Sequence, residues 1–413
     1  MKGLPASIAV IALLAAPSAP GQAFDQRGFV ETQALAFPQD GSNDSGHAVD
    51  SMLLRWEPSY KASSWFTLEA AFDARADSHQ DTARTAHVDF DDREILRPSL
   101  SVRRLSGILH RGHWTAEIGR QFIRWGKTDI LNPTDRFAPK DFIATVVDAD
   151  FLGVAAARLT YDTGSNSIDL VWQPWFTPSR TPLLDQRWTV IPPAAAGIGI
   201  IDGGARYPGG SQYGVRWNHT GTGYEYSLCF FDGENNLPLF SAAFSPISNS
   251  VTLQRYYPQL RLYGGDAAVP LPWVTVKAEA AYFTSPQIAS GPGNYALYVI
   301  QLERQVRQWS FVGGYAGEAV TRKPANPLLF DPEQGFARSF VGRADWTIDP
   351  RRSFTAETVI RSAASFARAE YSETFGQHWR GTAGLAWIRG SLRDFLGEYR
   401  HNSYGLLAIR YSF

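Results

Sequence analysis

The 413-residue sequence has a single cysteine, Cys229, and only two methionines. One thiol excludes a disulfide scaffold and any metal site built from several cysteines. Charge is scarce as well: 19% of residues are charged, against roughly 25% in an average soluble domain. With 39 Lys plus Arg facing 40 Asp plus Glu, the formal charge is -1, and no basic surplus recommends a nucleic-acid partner. Beyond residue 23 no stretch approaches an uncharged apolar run of ~18 residues, so a spanning helix is not expected. The 3.6-residue period of amphipathic helices is nearly missing too. Aromatics, by contrast, are plentiful, with 13 Trp, 17 Tyr and 25 Phe.

Residues 1–23 read as a secretory signal peptide. Lys2 supplies the positive start, Ile8 to Ala16 the apolar stretch, and Gly21-Gln22-Ala23 a small-residue cleavage site. A membrane anchor is the alternative, but the apolar run is shorter than the ~20 residues a spanning helix needs, and Pro17 and Pro20 interrupt it. The exported domain is therefore expected to span 24–413.

That domain is dominated by segments of about ten residues in which apolar and polar side chains alternate. In WVTVKAEAAYF (273–283), Val274, Val276, Ala278, Ala280 and Tyr282 share one face, and Thr275, Lys277 and Glu279 the other. SWFTLEAAFDAR (64–75) and GYEYSLCFF (223–231) repeat the pattern. An oily face can pack on a second sheet or meet lipid outside a closed barrel. Two features favour lipid. Tryptophans such as Trp56, Trp114, Trp273, Trp309, Trp346 and Trp387 sit towards segment ends, where interfacial girdles lie. Full charges fall in mid-strand on the wet face: Arg158, Arg216, Lys277, Glu279, Arg343, Arg380 and Arg410 are expected on a lumen wall.

Strands centred from 26–36 to 399–413 number about 18, with 16 as the alternative, and their connections alternate short and long. Periplasmic turns are short and outer loops long in such barrels, so the fold class is an all-β, transmembrane, up-and-down antiparallel β-barrel with both termini periplasmic. The chain ends SYGLLAIRYSF. A final amphipathic strand closing on Tyr411 and Phe413 resembles the assembly signal of Gram-negative outer-membrane barrels. The resemblance implies an outer-membrane location among lipid and lipopolysaccharide, reached through the barrel assembly machinery.

The densest non-repetitive segment is GRQFIRWGKTDILNPTDRFAPKDF, Gly119 to Phe142. Its Asn-Pro and Ala-Pro steps are turn chemistry, and cations interleave with carboxylates along it. Here the sequence resembles a widespread family of porin-like outer-membrane barrels, including the alginate-export type. The resemblance implies that the third loop, 122–151, folds back into the lumen as a constriction. Arg120, Arg124, Lys127, Asp129, Asp135, Arg136, Lys140 and Asp141 would then set size and charge selectivity. A structured outer cap without a role in permeation is the alternative.

The function expected is a porin-like channel for passive diffusion of small hydrophilic solutes, with no cofactor and no metal. Two other readings stand beside it: a scaffold barrel whose blocked lumen docks a partner protein, and, as a minor alternative, an outer-membrane hydrolase, for which Ser372 and His378 near a turn lack an accompanying Asn at useful strand spacing. The acidic cluster Asp89, Asp91, Asp92 and Glu94 lacks calcium-loop spacing and reads as a solvated loop. His79, His87, His110 and His113 lack zinc-site spacing. Gly197 to Gly204 reads as a flexible or hairpin-forming part of the fourth loop. Monomer and homo-oligomer are both compatible with the apolar faces.

Overall fold

The computed structural model describes residues 23–413 apart from 42, 86, 87, 90, 192–194, 196, 288–290 and 325–327. The leader expected over 1–23 falls almost wholly outside the described residues. One large sheet of nineteen strands dominates the chain. One of its members, Val88–Asp89, is a two-residue segment lying parallel to the start of a barrel strand.

The other eighteen form the ring. They are β1 Phe24–Ala36, β2 Ala48–Lys61, β3 Phe66–Asp77, β4 Leu100–Arg111, β5 Trp114–Gln121 and β6 Val154–Asp162. Next come β7 Asn166–Gln173, β8 Gln212–Gly221, β9 Tyr224–Glu234, β10 Gln259–Pro270, β11 Thr275–Thr284 and β12 Asn294–Val306. The last six are β13 Trp309–Arg322, β14 Ser339–Thr347, β15 Arg352–Ile360, β16 Ala364–Phe375, β17 Trp379–Gly390 and β18 Tyr404–Ser412. Each pairs antiparallel with its neighbours in sequence. β18 closes on β1 from Phe29↔Ser412 to Ala36↔Gly405. The count of 18 holds over 16.

Closure follows from the side-chain alternation. With period two, every strand shows one face outward. Leu385, Leu407 and Phe340 are 71%, 65% and 64% exposed there, a waste of apolar surface in water and a gain in hydrocarbon. Lipid offers backbone groups no hydrogen bonds, so a sheet within it must have no edge. The seam is finished by Phe413, whose amide and carbonyl pair with the carbonyl and amide of Gly28, both at 3.0 Å. Its ring lies over Gly28, where an added Cβ would come within 2.6 Å of it.

Short turns such as 163–165, 222–223 and 307–308 follow even-numbered strands, and long loops follow odd-numbered ones. The turn between β2 and β3 falls at 62–65. The connection 361–363 is the one short odd-numbered link. Both ends of the described barrel sit at the short-turn end: Ala23 pairs with Lys61, and Ser412 with His378 in the turn before β17. Rings gather at that end, with Trp114 against Tyr161, Trp309 against Trp346 and Trp379 against Tyr411, their centroids 4.6, 5.0 and 5.0 Å apart.

At the opposite end the loops after β7 and β9 share a small sheet. Gly199–Arg206 runs parallel to Ser250–Tyr256, which pairs antiparallel with Leu239–Ser245. The glycine-rich segment is therefore a strand held by the neighbouring loop, not a hairpin of its own.

Gly28→Leu should force Phe413 from the seam and cost the barrel its resistance to unfolding in detergent. Phe413→Ala should cost about 1–2 kcal/mol, less than a fully buried Phe. Heat-modifiable gel mobility reads both, with Gly28→Leu shifting at a lower temperature than Phe413→Ala. Wild-type transitions for both would contradict the seam's importance.

Candidate functional site

The loop 122–153 leaves β5 and turns against the inner face of the wall. Ile123, Trp125, Leu131 and Phe137 enter one apolar cluster with inward residues of the barrel, among them Val171, Phe231, Leu262, Phe283, Leu297 and Ala316. Phe137 packs edge-on to Trp125 and to Phe231, at 5.2 and 4.8 Å. Gly214 makes room, since a Cβ there would meet Phe137 and Trp125 at 2.5 and 2.6 Å. A barrel interior is normally lined with polar groups. Here the β7–β13 sector is apolar inside because the loop covers it.

The polar anchor of this contact is Glu279 of β11, 1% exposed. Its Oε2 accepts from the amides of Lys127 at 2.8 Å and Thr128 at 3.1 Å and from the Thr128 hydroxyl at 2.9 Å. Its Oε1 accepts from the Thr134 amide at 2.9 Å and hydroxyl at 2.8 Å. A buried carboxylate is costly unless compensated, and here five donors from the loop compensate it. Beside it, Gln301 Oε1 accepts from the Asp129 amide at 2.8 Å while Gln301 Nε2 donates to the Asp129 carboxylate at 2.6 Å. Asp135 secures the turn from within: it accepts from the amides of Trp125 and, at 2.6 Å, Gly126.

Further along, the loop is tied to other elements by ions. Arg136 and Lys140 meet Glu333 of the loop after β13 at 2.7 and 3.0 Å. Asp141 accepts two bonds from Arg97, at 2.8 and 2.9 Å, and contacts Arg180 at 3.4 Å. Burial alone would raise the Asp141 carboxyl, but Arg97 and Arg180 outweigh it and hold the group well below the usual carboxylate range. Asp148 meets Arg368 of β16, and Asp150 meets Arg103 of β4 at 2.7 Å. The loop therefore crosses the interior, bonded to walls well apart around the ring. Between its residues 144–148 and the inner faces of β1–β3, β16 and β18 lies a cavity of about 240 Å³. Arg75, Asp77, Arg97, Asp148, Arg368 and Glu370 are among its lining residues.

The eight residues singled out from the sequence, Arg120 on β5 and seven in the loop, divide in two. Arg120, Asp135, Arg136 and Asp141 are buried and hold structure together; Arg120 bonds Asp92. Lys140 sits with them on Glu333. Arg124, with its side chain 48% exposed, and Asp129, 51% exposed, present charge to solvent. Lys127 reaches Glu225 at 2.7 Å. On the wall, Arg158 meets Asp169 at 2.6 Å, Arg216 meets Asp266 at 2.7 Å, Arg343 meets Asp345 at 2.9 Å and Arg410 meets Glu31 at 2.7 Å. Lys277 bridges Asp129 and Glu303. Arg380 stands directly across from Arg410. Tyr411 faces outward beside Trp379.

One expectation changes in detail. Asp92 is not solvated: it is buried and bonded by both Arg120 and Arg180. Ser372 bonds Thr382 at 2.9 Å and His378 bonds the Ser412 carbonyl at 2.8 Å, so they do not form a nucleophile and base. Among the described residues no cluster of metal-ligating side chains occurs; His87 lies outside them. The cavity residues Arg75, Asp148, Arg368 and Glu370 were missed, although period two puts the wall members among them on the wet face.

Glu279→Ala would strand three amides and two hydroxyls of the loop. At about 1–3 kcal/mol per unsatisfied buried group, the 127–134 segment should exchange its amide hydrogens faster by at least tenfold, with the barrel intact. Unchanged exchange would show that the apolar cluster alone holds the loop.

Neither a family model nor a curated protein matches the chain. Solved structures do. A BenF-like porin from Pseudomonas fluorescens Pf-5 aligns with TM-score 0.54 at 9% identity, over 95% of this chain and 98% of that one. OccAB4 of Acinetobacter baumannii aligns with TM-score 0.52 at 10% identity, over 96% and 100%. Pseudomonas aeruginosa OpdK, solved with vanillate, gives 0.53 at 9%, over 94% and 98%. At such identities the likeness is one of architecture: this chain has the fold of outer-membrane porin barrels.

Proposed function

We propose that the protein is an outer-membrane channel for passive diffusion of small hydrophilic solutes, narrowed by the loop 122–153. The observation that carries this reading is the bonding of that loop to the inner wall at Glu279, Gln301, Arg368 and Arg103. A loop so held takes up lumen space and leaves the β1–β3 and β16–β18 side as the passage. The porin fold of the structural neighbours supports the same reading, including short turns and termini on the periplasmic side, export by the leader 1–23 and insertion by the assembly machinery. No step in it calls for catalysis or a cofactor.

Selectivity would come from the passage wall. Around the cavity the carboxylates Glu31, Asp77, Asp81, Asp148 and Glu370 outnumber the guanidinium groups of Arg75, Arg97 and Arg368. Burial raises the Asp81 carboxyl, and the balance stays negative even with Asp81 neutral. Charge of one sign along a pore favours the opposite ion, so cations and solutes bearing a positive group should pass preferentially. The scaffold reading draws on one observation, the second apolar cluster, where Phe142 and Val146 meet Trp188, Leu237, Leu396 and Tyr399 from other loops and cap the long-loop end.

Planar-bilayer recording under a salt gradient separates the two. The channel reading expects steady ohmic steps with a modest cation preference that Asp148→Asn weakens. Silence from folded protein supports the scaffold, and an anion preference contradicts the assignment of the passage wall.

A further inference from the structure

The outer wall carries a feature that permeation does not use. Directly paired residues share a face, so rows of outward side chains can be followed across the strands. One row runs Leu302, Gly313, Gly342, Thr358, Ala367, Trp387, from β12 to β17. The row nearer the short turns runs Arg304, Phe311, Ala344, Ala356, Ala369, Leu385. Both are small in the middle and large at the ends. Beyond them lie bulky rows: Tyr315, Phe340 and Ile360 on one side, Trp309, Trp346, Phe354 and Tyr371 on the other. The result is an open apolar groove of about 840 Å³ in a surface otherwise set with large side chains.

The barrel does not require this smallness. A Cβ at Gly313 or Gly342 would meet nothing closer than 3.9 or 3.5 Å, and neither glycine has a positive φ. Elsewhere the fold does demand glycine, as at Gly314 and Gly317, where a Cβ would lie 2.2 and 2.1 Å from a neighbour. The one hydroxyl in the floor, that of Thr358, donates to the Phe366 carbonyl at 3.1 Å and needs no water.

We propose that this groove binds one acyl chain of a membrane phospholipid, with the phosphate on Arg304. Length supports this occupant. Five strand spacings of ~4.8 Å give a groove of ~24 Å. With strands tilted ~35–45°, it rises ~15 Å along the membrane normal, about half of the ~30 Å hydrocarbon core and hence one leaflet. Charge supports it too. Arg304 lies at the short-turn end, beside Trp273, which is 64% exposed. Among the described residues Arg304 makes no ion pair, and an arginine at headgroup depth suits a phosphate oxygen. The lipid belongs to the leaflet on the short-turn side.

The test is native mass spectrometry of delipidated, folded barrel titrated with dioleoylphosphatidylglycerol. Wild type is expected to retain one lipid under conditions that strip the rest. Ala356→Phe or Gly342→Leu, each of which fills the floor, should cut that occupancy at least tenfold, and Arg304→Gln should cut it severalfold. Gel mobility and single-channel conductance serve as the check that each filled barrel is folded; either filled variant suffices. Equal retention by a folded filled variant overturns the proposal, as does a wild type that retains no lipid. A two-barrel species lost on filling the groove overturns it in favour of a second copy of the chain.

Discussion

Hydrocarbon offers no partner to a peptide group, and that constraint governs this chain from end to end. Once a sheet is to sit in lipid it must close, and closure by β1 and β18 turns each strand's two faces into an outside and an inside. The outside is settled by solvation: leucines and aromatics face outward along all eighteen strands, with rings concentrated where the short turns begin. The inside is harder to satisfy, because it holds many charges of both signs in a confined space.

The structure resolves that problem with the loop 122–153. Its apolar residues cover an inner sector that would otherwise be greasy wall facing water. Its amides and hydroxyls neutralise the cost of burying Glu279 without any cation. Its own charges are matched by Arg97, Arg103, Glu333 and Arg368 from other strands and loops. Buried ion pairs of this kind add little net stability. Their effect is on position, since removing one partner strands the other, and a loop held at several separated points has one place to be. The opening left beside it is a consequence of that placement.

Strand number and order were legible because each strand is amphipathic by itself and pairs with its sequence neighbour. The inward direction of Lys277, Glu279 and Arg410 followed from the same alternation. What alternation could not show is which inward groups meet. Asp92 joins Arg120 and Arg180, and Arg136 joins Glu333, across long stretches of chain. Those encounters depend on where loops fold inside the cylinder and how the strands are staggered. For the same reason Asp92 read as a solvated loop residue, and Asp135 as a charge on the passage when it is the brace of a turn. The outer groove was illegible for a related reason: small residues on four separate strands align only once the register is known.

The alternation between lipid and water along each barrel strand is what makes the closed sheet a barrel in a membrane. Spin labels placed singly at each position from 404 to 412, in a Cys229→Ala background reconstituted into bilayers, test it by collision with oxygen and with a polar nickel complex. Labels at Gly405, Leu407, Ile409 and Tyr411 should favour oxygen, and those at Leu406, Ala408 and Arg410 should not, giving a period of two. Accessibility without that period, or with the two sets exchanged, would contradict the barrel described above.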